Sequence, residues 1–130
     1  MRGFTILTLV GFLVSGCATQ RSAERPKNAP EILSRAEWLA QPPVLEMKTH
    51  RINQITIHHT AVQQNPQRTL AQKLTSLQKF SQNPGTLGNG KTKPAWPDVP
   101  YHYYIDCHGN IGEGRELKYV GDTNTEYDPT

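Results

Sequence analysis

The sequence predicts an α/β domain, on three observations. From Ile55, apolar and polar side chains alternate at the two-residue period of a half-buried strand, expected over residues 52–58. Leu70, Leu74 and Leu77 recur at i, i+4 and i+7 with Ala71 beside them, which makes an amphipathic helix of residues 69–80. Residues 101–105 are aromatic and alternating. With a turn at Cys107-His108-Gly109-Asn110 and a return over residues 111–115 they form a β-hairpin.

The first strand ends in His58-His59. Successive strand side chains point to opposite faces, so Ile55 and Ile57 share one side and Thr56 and His58 the other. With the isoleucines turned into the core, His58 stands at the strand's end on the opposite face, where a sheet rim presents metal ligands. His59 falls on the isoleucine side. Taken alone, a His-His pair is more often the polar end of a strand than a ligand, and these two residues leave the choice open.

Upstream, Met1-Arg2-Gly3, an apolar run over residues 4–14 and Ser15-Gly16-Cys17 make a secretory signal whose apolar part is too short to span a bilayer. Val14-Ser15-Gly16-Cys17 resembles the lipobox of bacterial lipoproteins. That resemblance implies loss of residues 1–16, a lipid anchor on Cys17 and, with Ala18 in place of Asp, an outer-membrane site facing the periplasm. Several acyl chains at about 0.8 kcal/mol per buried methylene hold such a protein on the membrane. Residues 17–30 are a polar tether, with Arg21, Glu24, Arg25 and Lys27 and little to bury. Residues 31–130 are the domain.

The apolar fraction, 35%, gives a thin core. The net charge of +3 is not gathered into a basic face, which excludes a nucleic-acid footprint. With Cys17 assigned to the anchor, Cys107 has no partner for an internal disulfide and is either a small buried residue or a free thiol.

Ser34 and Glu37 match a capping box for a short helical turn. Gln41-Pro42-Pro43 ends it, and residues 44–50 cross to the first strand as irregular chain, with His50 on the surface. On the helix, Gln72, Lys73, Ser76 and Lys79 make the outward side. Residues 83–100, rich in glycine and proline, form a long loop of the kind that carries function. Within it Trp96 suits either stacking on a sugar ring or packing across the loop base. In the hairpin, Tyr101, Tyr103 and Ile105 share one face and His102 and Tyr104 the other, while His108 is an exposed turn residue. Residues 117–120 suit one more short strand, and residues 121–130 are a polar end.

Ser34-Arg35-Ala36-Glu37-Trp38, Ile57-His58-His59-Thr60-Ala61, Trp96-Pro97-Asp98-Val99-Pro100-Tyr101-His102-Tyr103 and Gly109-Asn110-Ile111-Gly112-Glu113-Gly114-Arg115 together resemble, in order and spacing, the peptidoglycan recognition proteins and phage-type N-acetylmuramoyl-L-alanine amidases. The resemblance covers residues 32–128. It implies a mixed central sheet with packed helices, a zinc ion at the base of a peptidoglycan groove, and hydrolysis of the amide joining the lactyl group of muramic acid to L-alanine of the stem peptide. It maps the first zinc ligand onto His58 and not His59, in agreement with the strand-face argument, and the catalytic tyrosine onto Tyr101. Trp96 and His59 are candidate substrate contacts. Zinc lowers the pKa of a bound water toward about 7 and polarises the amide carbonyl. A tyrosine hydroxyl can donate to the developing oxyanion.

Such a zinc ion takes three protein ligands. In the family the second histidine and a cysteine or aspartate follow a strand that would begin just past Thr130, so the expectation is a domain incomplete at its C-terminus. His50, His102, His108 and Cys107 do not match the late ligands, and Asp122 or Thr123 stands where many relatives have a groove histidine. The partners implied are peptidoglycan or muropeptides and, through the anchor, a membrane. The alternatives to a zinc amidase are a non-catalytic muropeptide-binding module and a structural lipoprotein that tethers to the wall.

Overall fold

The computed structural model describes residues 26–60 and 62–122. The signal, Cys17, most of the tether, Ala61 and the polar end from Thr123 lie outside the described residues.

Three strands make the main sheet: β1 (Ile32–Leu33), β4 (Tyr103–Ile105) and β5 (Ile111–Glu113), in the order β1-β5-β4. β1 runs parallel to β5, with Ile32 opposite Ile111, and β4 runs antiparallel to β5, with Tyr104 opposite Gly112. The sheet is therefore mixed, and helix α1 (Leu70–Gln82) packs on it, as an α/β domain requires. Among the described residues α1 is the one helix.

Helix α1 begins where its capping chemistry places it. Thr69 is the N-cap, its hydroxyl accepting from the Gln72 N–H at 3.2 Å, while the Gln72 side chain accepts from the Thr69 N–H at 3.0 Å. Leu70 and Leu74 are buried and Leu77 is half-buried against them, as the leucine stripe predicts. Gly112, at the centre of the sheet, admits the stripe: a Cβ there would come within 2.6 Å of Leu74 Cδ1. Trp38 and Val99 complete the core, with Leu33, Ala40 and Tyr104 around it. Trp38 Nε1 donates to Glu113 O at 2.7 Å, which ties the Ser34–Glu37 turn to β5. That turn has its capping pair, the Ser34 hydroxyl donating to the Glu37 carboxylate at 2.6 Å.

Lys73 departs from the expected outward side of α1. It is buried, and its Nζ lies 3.4 Å from the Asp106 carboxylate. Lys73 lies three residues on from Leu70, on the same face as the buried leucines rather than that of exposed Gln72, and an acid at the start of the hairpin turn holds it there.

The long loop contains structure that its composition conceals. β2 (Gly85–Thr86) and β3 (Thr92–Lys93) pair antiparallel, closed by a turn in which Gly90 has φ +81°. Asn89-Gly90 is the local signal for it, since both residues tolerate left-handed backbone. Lys93 is buried at the foot of this hairpin. Its ammonium donates to Ser81 O, Asn83 O and Pro94 O at 3.0, 2.6 and 2.9 Å, capping the carbonyl end of α1.

The strand expected over residues 52–58 is absent. Among the described residues no backbone hydrogen bond joins residues 51–60 to another segment, and Ile55 and Ile57 are 90% and 94% exposed. Alternation determines which side chains share a face, but a strand also needs a neighbour's N–H and C=O groups, and none is in register here. Residues 117–120 likewise form only an isolated bridge, Tyr119 with Thr49. Through that bridge His50 is half-buried rather than a surface residue, its ring stacked on His102 with centroids 5.8 Å apart. Cys107 is exposed, so of its two readings the free thiol is the one observed.

Candidate functional site

Tyr101 enters the site from the segment just before β4. Its carbonyl accepts from the Arg115 N–H at 2.7 Å, and its half-buried ring projects toward residues 51–60. Burial pushes its phenol above the usual tyrosine range, which keeps the hydroxyl protonated and able to donate. That oxygen lies 3.1 Å from His58 Nδ1, across 43 residues of sequence. The two rings meet edge to face, with centroids 5.5 Å apart and planes at 83°.

His58 is exposed, and its contact with Tyr101 determines its chemistry. When the phenol donates to Nδ1, the neutral imidazole carries its proton on Nε2. When Nδ1 holds the proton and donates to the phenol oxygen, Nε2 is left with a free lone pair. Only the second arrangement leaves Nε2 able to bind a metal ion, and the Tyr101 hydroxyl, which can donate or accept, is compatible with either.

The remaining candidates are distributed differently. His59 stands edge-on to His58 at 5.8 Å, and its Nδ1 lies 3.3 Å from Thr60 O. Trp96 sits at the end of α1, its N–H donating to Ser81 O at 2.8 Å. Its ring meets Phe80 edge-on at 6.0 Å, and the Lys93 ammonium lies 4.4 Å from its centroid. Packing across the loop base is thus what the Trp96 ring does in this fold. Cys17 lies outside the described residues.

Among the described residues no group of three His, Cys, Asp or Glu side chains is placed to hold a metal ion. His102 Nε2 is 2.7 Å from Tyr119 O and His50 Nε2 is 3.2 Å from Leu117 O. His108 Nε2 is 3.1 Å from Pro66 O. The described residues by themselves do not fit a zinc ion, which needs more than one imidazole. Asp122, where a groove histidine is expected, pairs its carboxylate with Arg115.

The sequence reading passed over the polar frame under Tyr101. Asp98 is buried and ion-paired to Arg35 at 2.8 Å, and it accepts from Gln78 Nε2 at 2.7 Å and from the Val99 N–H at 2.8 Å. Arg115 is buried beneath the same segment. The signal available was Gly112-Glu113-Gly114-Arg115, two glycines alternating along a strand that leads into an arginine. Glycine inside a strand marks close backbone approach.

Comparison with known proteins gives relatives of one kind. The chain is similar to peptidoglycan-recognition protein LE of Drosophila melanogaster, 31% identical over 99 residues, which is 74% of this chain and 26% of that protein. It is 28% identical over 118 residues to peptidoglycan-recognition protein SD of Drosophila simulans and to that of Drosophila melanogaster, 88% of this chain and 56% of each. The chain thus spans from about a quarter to just over half the length of these relatives. No family model and no solved structure matches it.

Proposed function

We propose that the chain carries the peptidoglycan-facing part of an N-acetylmuramoyl-L-alanine amidase, held on the outer membrane by a lipid on Cys17. The observation that carries this reading is the 3.1 Å contact of the Tyr101 hydroxyl with His58 Nδ1. Similarity to proteins named for peptidoglycan recognition supports muropeptide as the ligand. In this reading the Tyr101 O–H donates to the carbonyl oxygen of the lactyl amide as negative charge develops on it. With its Nδ1–H donating to the same hydroxyl oxygen, His58 has Nε2 free, which suits it to be one ligand of a zinc ion. The described residues do not complete such a site.

A second reading, a module that binds muropeptide without cleaving it, is favoured by similarity to proteins named for recognition. One experiment separates the two. Purified sacculi are incubated with the protein, with zinc and with chelator, and both bound protein and released stem peptide are measured. The amidase reading expects zinc-dependent release that falls about a hundredfold in Tyr101→Phe, the usual loss on removing one oxyanion donor, with binding retained. Binding without release under any metal condition establishes the module instead.

A further inference from the structure

We infer that Arg115 is the positioning residue for the Tyr101 hydroxyl, with Asp122 as its partner. This rests on the role proposed for Tyr101 and extends it to the residues that aim that side chain. The carbonyl oxygens of residues 98–102, without a gap, all accept hydrogen bonds from just three residues. Arg115 Nη2 donates to Asp98 O at 3.3 Å and Arg115 Nε to Val99 O at 3.0 Å. The Asp122 N–H donates to Pro100 O at 3.0 Å, the Arg115 N–H to Tyr101 O at 2.7 Å and the Gly114 N–H to His102 O at 2.8 Å. Arg115 Nη1 donates to Val120 O at 2.6 Å, and Nη2 is ion-paired with the Asp122 carboxylate.

Two features make this an aiming device. Successive N–H groups of a regular strand face opposite sides, yet those of Gly114 and Arg115 both reach the segment that bears Tyr101. Local departures of this kind re-aim a side chain at a sheet's end. In addition, the buried guanidinium uses its planar fork on the Asp98 and Val99 carbonyls just before the tyrosine, on Val120 O and on the Asp122 carboxylate. A lysine, with a single charged nitrogen, cannot serve four acceptors in that geometry.

The test uses the natural full-length protein with Arg115→Lys and Asp122→Asn, and Leu77→Ala as a control destabilised elsewhere. The readouts are the nuclear Overhauser contact between the Tyr101 and His58 rings, the melting temperature, and kcat and KM for stem-peptide release. Arg115→Lys is expected to lose the ring contact and to lower kcat by about ten- to a hundredfold with KM nearly unchanged, as displacement of a reacting group by about 1 Å does. Asp122→Asn, whose side chain is 45% exposed and tolerant of change, shifts both the same way by less. Leu77→Ala lowers the melting temperature and keeps the ring contact. A folded Arg115→Lys that retains the ring contact and kcat overturns the inference, as does a Leu77→Ala control that loses the contact equally. Should Arg115→Lys fail to fold, the ring contact in Asp122→Asn decides. Wild-type protein that releases no peptide sinks the amidase reading alone, because the ring contact still judges Arg115.

Discussion

Tyr101 and His58 touch, yet the chain holds them in opposite ways. The segment that bears Tyr101 has consecutive carbonyls bonded to Gly114, Arg115 and Asp122, and buried Val99 and Asp98 beneath it. The segment that bears His58 has no backbone partner among the described residues and exposes Ile52, Ile55 and Ile57. Its anchors are side chains: His58 on Tyr101, and beyond it Gln64, which accepts from the Cys107 N–H at 3.1 Å. The hydroxyl is thus fixed by the scaffold and the imidazole is fixed by the hydroxyl. A site of this design places its hydrogen-bond donor before anything binds, and leaves the histidine free to change tautomer or partner.

The largest effect that tests this contrast is Gly114→Ala. A Cβ at Gly114 would fall on the Tyr101 carbonyl oxygen, well inside contact distance, and 3.2 Å from Val99 Cγ1. Backbone, not the tip of a flexible side chain, would have to move. The expected loss is about 3 kcal/mol or more, in the range reserved for overpacking with loss of backbone bonds. Denaturant unfolding measures it, and a loss below about 1 kcal/mol would mean that the Tyr101 segment yields as easily as its neighbour.

How far the sequence reveals this arrangement differs between the two halves. The leucine stripe gave α1, and Cys107-His108-Gly109-Asn110 gave the hairpin, because these are local signals: a helix face and a left-handed turn are decided within a few residues. Pairing is not local. Nothing in Ile55-Thr56-Ile57 states which strand it joins, so its alternation predicts a core face that the fold leaves exposed. The buried polar frame was hidden for a related reason. Lys73, Lys93, Asp98 and Arg115 read as surface charges one at a time, and become interior through partners that include distant ones: Asp106 for Lys73, Ser81 O for Lys93, Arg35 for Asp98 and Val99 O for Arg115. A short apolar list thus understates how much of the interior is ordered.

A smaller effect concerns the hairpin turn that ends β4. Asp106 is desolvated, which raises its pKa, but N–H groups of His108 and Asn110, the Asn110 amide and Lys73 outweigh that and bring it down to about 2. Because the folded value lies below the ordinary 3.8, the unfolded chain binds the extra proton between pH 4 and 2. The carboxylate's contribution is whole above about pH 4 and is lost as the pH falls through about 2. Asp106→Asn is expected to lower stability by roughly 1 to 3 kcal/mol at neutral pH, as for a buried charged hydrogen-bond acceptor, and to flatten this acid limb. Melting temperatures of both proteins from pH 2 to 7 check it, and parallel curves would count against the turn as the origin of the effect.

The smallest effect is the sharpest test of the exposed half. Ile55→Thr and Ile57→Thr keep the β-branch and remove apolar surface that the fold already leaves in water. Exposed substitutions of this sort change stability by less than about 0.5 kcal/mol. Buried isoleucines, which the alternation by itself implies, would lose about 1 to 3 kcal/mol each on the same change, through lost burial and an added hydroxyl. The two outcomes are far enough apart for a single urea titration to separate them. A large loss would place residues 52–58 in a sheet interior and bring His58 under the same rigid control as Tyr101, which would remove the contrast between the two halves of the site.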